Sequence, residues 1–79
     1  MIKLKIDDII YVTGRGNIIC CETDREDFHI NDTVITDTIS FNISGIERMR
    51  SKVGIILYPN IKVPDTFIVG GDLYIKTQE

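Results

Sequence analysis

VTGRGNII, residues 12–19, is the stretch whose reading decides the fold. Two glycines flank Arg15, and apolar runs stand on both sides. A phosphate-cradling loop of the Walker type needs Gly-x-x-x-x-Gly-Lys-Ser/Thr, and it opens a helix whose N-terminal amides hold the phosphates. Here Gly16 is followed by Asn17-Ile18-Ile19-Cys20-Cys21, with no Lys-Ser/Thr pair and every mark of a strand. The stretch therefore reads as a hairpin turn, with glycine supplying the positive φ angles that such turns require. Arg15 sits at the tip as a candidate contact residue.

Outward from this turn, β signals follow one another. Upstream, KLKI (3–6) alternates, with Leu4 and Ile6 on one face and Lys3 and Lys5 on the other, and IIYV (9–12) is β-branched and aromatic. Asp7 and Asp8 between them suggest a bulge or bend. Downstream, NIICCET (17–23) reads as the second strand and DTVIT (32–36) as the third. ISFNIS (39–44) alternates fully, giving Ile39, Phe41 and Ile43 to one face and Ser40, Asn42 and Ser44 to the other. KVGIILY (52–58) gives Val53, Ile55 and Leu57 to one face. TFIV (66–69) and DLYIK (72–76) read as the closing strands, separated by the Gly70-Gly71 turn signal.

No window has a capped helical repeat. Good helix formers cluster only in GIERMRSK (45–52), which is short. Pro59 and Pro64 bracket NIKV as a loop or edge segment, because proline donates nothing to a sheet ladder. The expected fold is one all-β domain over residues 1–79, a small six-stranded antiparallel closed barrel, with a small sandwich as the alternative. Closure removes the unpaired edges that invite aggregation.

Composition bounds the function. With 79 residues there is room for one core and little for a deep cleft. A net charge of -3 argues against strong nonspecific nucleic-acid binding, which calls for a basic surface. No apolar run approaches the roughly 20 residues of a membrane helix, and Asp7 and Asp8 interrupt any signal-like start. No membrane association and a cytoplasmic location are expected. Adjacent Cys20 and Cys21 are expected to be reduced, one facing the core and one facing out. With His29 the only histidine, neither a metal site nor any cofactor is expected. Nothing assembles a catalytic constellation, so the chain is not expected to be an enzyme.

Two charged segments stand out. Arg48, Arg50 and Lys52 form the local basic cluster, and at alternate positions of an extended chain they would share one face. ETDRED (22–27) is acidic, with no EF-hand spacing, and reads as a solvated loop. The three tyrosines, Tyr11, Tyr58 and Tyr74, offer stacking surfaces but are more often half-buried packing residues.

Taken in order, KIDDIIYVTGRGNII, FHINDTVI, ISGIERMR, VGIIL and VGGDLYI resemble successive segments of the second domain of translation-factor GTPases of the elongation factor Tu type. The resemblance runs from about Lys5 to Lys76. It implies a six-stranded antiparallel barrel without the GTPase domain that precedes it in the family. It also implies a binding role. Glu47 matches the family's glutamate, which packs on the terminal adenine of transfer RNA, and Arg50 matches the arginine that lines the aminoacyl pocket. The chain departs from the family in CCETDRED, where a glycine is lost. It departs again in the short Ser51-Lys52 link, which replaces a longer insert carrying an asparagine. The expected function is a stand-alone, non-catalytic module that docks on a protein or ribonucleoprotein partner through Arg15, Glu47, Arg48, Arg50 and Lys52. The alternative is self-association as a homodimer through Ile56, Tyr58 and Ile68.

Overall fold

In the computed structural model, residues 1–35, 40–59, 61–63, 65 and 67–77 are described. Six antiparallel strands close into a barrel: β1 Ile2–Val12, β2 Gly16–Glu22, β3 Thr33–Ile35, β4 Ser40–Met49, β5 Lys52–Leu57 and β6 Asp72–Lys76. Their order around the barrel is β1-β2-β5-β4-β3-β6. Helix is absent among the described residues.

Two long strands form the corners. β1 pairs with β6 over Ile2–Lys5 and with β2 from Ile6 onward, and its register slips between Ile6 and Asp8. β4 pairs with β3 over Ser40–Asn42 and with β5 from Ile43 onward, slipping between Ile43 and Gly45. Each slip is a bulge, which bends the strand and lets it leave one sheet for the other. The acidic pair thus marks a corner, as its sequence suggests. At the second corner the Ser44 hydroxyl donates to the Ile56 carbonyl oxygen at 3.1 Å and adds a bond where the ladder is broken.

The core follows the alternation. Ile2, Leu4 and Ile6 point inward from β1, Val53, Ile55 and Leu57 from β5, and Phe41 and Ile43 from β4. Phe28, carried by the β2–β3 connection, is fully buried and plugs the end of the barrel where Cys21 and Val53 pair. At the other end of β2, the Asn17 side-chain amide donates to the Ile61 carbonyl oxygen at 3.0 Å and ties down the β5–β6 connection.

Some expectations change. Gly45–Met49 is not a short helix-prone link but the continuation of β4, because pairing with β5 outweighs helix propensity. Phe67–Val69 is not a strand. Phe67 is buried as a single anchor, and Ile68 and Val69 are exposed on a turn fixed by the Gly70 N–H to the Ile6 carbonyl and the Ile6 N–H to the Gly71 carbonyl, both 2.8 Å. Cys20 takes the outward register and Cys21 the inward one, as alternation requires, but both are buried free thiols. Thr36, Ile39, Asn60, Pro64 and Thr66 lie outside the described residues.

Candidate functional site

The hairpin turn of VTGRGNII forms as its glycines require. The Arg15 N–H donates to the Val12 carbonyl at 2.9 Å, and Gly14 has φ of 84° at the third turn position, as a type II turn demands. Gly16 has φ of 95° and sits so close to the Leu57–Pro59 corner that a Cβ would lie 2.8 Å from the Leu57 carbonyl oxygen. The turn leads directly into β2 and is no phosphate cradle.

Partners in register share a face of the sheet. On the outside of the β1-β2-β5-β4 sheet, one row runs Ile10, Ile18, Ile56, Gly45, and the next runs Asp8, Cys20, Gly54, Glu47. A third holds Glu22, Lys52 and Met49. Ile18 faces outward yet is only 6% exposed. It leans over Gly54, where a Cβ would approach the Ile18 Cγ2 to 3.0 Å, and Ile56 likewise lies against Gly45. The glycines let two isoleucines lie flat. The result is a low apolar floor beside the buried Cys20, while Ile10, 44% exposed, rises at its border.

Charged side chains ring this floor. Arg15, at the turn, lies 3.6 Å from Glu47 on β4, and Lys52 lies 3.0 Å from Asp7 at the β1 bulge. The Asp7 hydrogen bond raises the Lys52 pKa above its ordinary value. Two segments that are far apart in sequence and were singled out separately, the Gly-Arg-Gly turn and Gly45–Lys52, therefore meet on one face.

The basic cluster itself divides. Arg48 pairs with Val53 on the inward-facing register, at the barrel end. Its guanidinium lies 5.1 Å from the centroid of the Phe28 ring and donates to the carbonyl oxygens of Arg25, at 2.9 Å, and Phe28, at 3.2 Å. Arg48 is thus a clamp on the β2–β3 connection. Arg50 stands in the β4–β5 turn with Ser51, whose φ is 58°, and makes no ion pair among the described residues. Lys52 lies beyond that reversal on the outer face. The three do not share one face, because the chain turns back between them.

The acidic loop is less free than its composition suggests. Arg25 and Asp27 pair at 2.6 Å, which holds the Asp27 carboxyl below its ordinary pKa. Thr23, Asp24, Glu26, Arg48, Met49 and Lys52 line a shallow open depression of about 100 Å³ beside the outer face. Farther along, the buried Asp32 carboxylate accepts the His29 backbone N–H at 2.7 Å and shapes the turn before β3. That turn places Phe28; the resemblance of FHINDTVI implies a turn here, and Asn31, with φ of 76°, and Asp32 are turn-forming residues.

Burial above all, then Asp8 and Asp7, pushes the Cys20 thiol up, opposed by Lys52 and reinforced by Glu47. Burial pushes Cys21 up to about 12, with Cys20 and Asp7 adding to it. Neither thiol has the electropositive, exposed setting of a reactive cysteine. No cluster of His, Cys, Asp and Glu suited to a metal exists among the described residues, and no helix there is long and apolar enough to cross a membrane. The apolar residues expected to join a dimer patch have distinct settings. Ile56 lies flat over Gly45, Tyr58 adjoins the Gly16 corner, and Ile68 sits on the turn bonded to Ile6. The chain matches no protein-family model, no curated protein and no solved structure.

Proposed function

We propose that this barrel is a cytoplasmic, non-catalytic binding module, similar in plan to the second domain of translation-factor GTPases, that docks on a protein or ribonucleoprotein partner. Its docking surface is the outer face of β1, β2, β5 and β4. The observation that supports this is the 3.6 Å approach of Arg15 to Glu47 beside the Ile10–Ile18–Ile56 row. An apolar centre with a polar, charged rim is the anatomy of protein interfaces. Of the residues drawn from the sequence, Arg15, Glu47 and Lys52 belong to that rim, Arg50 extends from the adjoining turn, and Arg48 supports the fold.

The test is affinity capture with the wild-type chain and with an Arg15→Ala, Glu47→Ala, Arg50→Ala variant of unchanged melting temperature. Arg48 is spared because its loss would loosen the Phe28 plug. The variant is expected to recover the wild-type partner roughly threefold less well, because rim charges set association rate and register more than raw affinity. Equal recovery refutes the site. Ribonuclease treatment of the captured material separates a protein partner from a ribonucleoprotein.

A further inference from the structure

We propose that the outer face of β1, β2, β5 and β4 receives a basic, apolar segment of a partner protein, which sets an aliphatic or aromatic side chain against Ile10 and Ile56 and holds Lys or Arg over Asp8 and Glu22. This rests on the binding-module reading and names the partner's chemistry.

Charge balance on the face carries the choice. Four carboxylates, Asp7, Asp8, Glu22 and Glu47, border the apolar floor against three cations, Arg15, Lys52 and, from the adjoining turn, Arg50. Two of the three cations are spent, Lys52 on Asp7 and Arg15 on Glu47, and Arg50 stands apart in the β4–β5 turn. Asp8 and Glu22 make no ion pair among the described residues, and Asp8 accepts only a neutral bond from the Ile9 N–H, at 2.8 Å. Asp24 and Glu26 extend the acidic character into the neighbouring depression. At the centre of the face, the Cys20 thiol reports the same sign of field, since Asp8, Asp7 and Glu47 disfavour its ionisation and Lys52 alone opposes them.

This pattern selects among occupants. A nucleic-acid strand brings phosphates against an excess of carboxylates, the reverse of what its binding requires. A second copy across a two-fold axis sets the same excess against itself, and like charges at an interface cost specificity and rate. A basic protein segment supplies the missing charge, and its apolar side chain covers Ile10.

The experiment titrates the ¹⁵N-labelled chain with three probes. These are the amidated peptide Lys-Ile-Lys-Phe-Lys-Ile-Lys, its counterpart with Glu at every Lys position, and decauridylate. The basic peptide is expected to shift the amides of Ile10, Ile18, Cys20, Gly54 and Ile56, and to bind about tenfold or more tightly than the acidic one. Decauridylate is expected to leave those amides in place. The Asp8→Asn, Glu22→Gln variant should remove most of the preference between peptides, and Ile10→Ser should weaken the basic peptide in a chain whose spectrum stays dispersed. Equal or tighter binding of the acidic peptide, or basic-peptide shifts that avoid this face, overturns the inference. Shifts of these amides by decauridylate overturn it too, yet leave the module reading standing. The module reading fails on its own capture experiment.

Discussion

Replacing Gly16 with alanine separates a structural turn from a ligand loop, and Gly14→Ala is its internal control. Both glycines have positive φ, 95° and 84°. An L-residue in that region costs about 1–2 kcal/mol. Around Gly14 nothing lies within 4 Å of the added Cβ, so that cost is the whole effect. At Gly16 the Cβ meets the Leu57 carbonyl oxygen at 2.8 Å and the Pro59 Cα at 3.0 Å. Both are backbone atoms and cannot swing aside as a side chain does. Overpacking of this kind adds about 1–3 kcal/mol. Gly16→Ala is therefore worth about 2–5 kcal/mol in all. A small domain loses about 4–8 °C of melting temperature per kcal/mol, so the two variants should differ by roughly 4–24 °C. Urea and thermal unfolding followed by circular dichroism read both quantities. If Gly16→Ala is no less stable than Gly14→Ala, the close approach of the turn to the β5 end is wrong, and with it the reading of VTGRGNII as a mark of the fold.

Two further outcomes follow from side chains of the barrel. Arg48→Ala should cost about 1–2 kcal/mol, from a cation–π contact and charge-assisted bonds, and should speed hydrogen exchange of amides 23–28 while sparing β6; Arg48→Lys should fall between, because an ammonium cannot reproduce the forked donation. Unfolding stability should decline as pH rises above about 9, the ordinary thiol value, toward about 12, where Cys21 titrates in the folded chain. The raised pKa means that only the unfolded thiol ionises in this window, so stability is fully present below it and drains at up to about 1.4 kcal/mol per pH unit. The Cys21→Ala variant, less stable throughout, should lack that part of the slope, and an equal slope would contradict the burial of this thiol.

The strands with strict alternation were legible from residues alone. Phe41 and Ile43, or Val53, Ile55 and Leu57, allow only one inward face. The Asp7-Asp8 corner was legible too, because two adjacent charges interrupt an apolar strand. Gly45–Met49 was harder to read, since Glu, Arg and Met favour helix locally and only β5, brought alongside by the turn at Arg50–Ser51, makes them a strand. Cys20 escaped because alternation gives direction but not cover; Gly54, on the partner strand, lets Ile18 fold over and shield the outer face. Phe67 looked like part of a strand because TFIV is rich in β formers, but a single anchor before a glycine turn satisfies the core without a ladder. Of the candidate site, charge patterning marked Arg15, Glu47 and Lys52. Their convergence depends on closure of the barrel, a long-range property that local patterns do not carry. The role of Arg48 depends on Phe28 and the Arg25 carbonyl, 20 and 23 residues away, and has no local signature.

The central claim is that the partner docks on the face formed by β1, β2, β5 and β4. Photo-crosslinking tests it most directly, with benzoylphenylalanine placed at Ile10 on that face in one preparation and at Tyr74, outward-facing on β6, in another. Crosslinks are expected from position 10, mapped by mass spectrometry to one defined partner segment, with none of that adduct from position 74. The same adduct from position 74 with none from position 10 would contradict the claim.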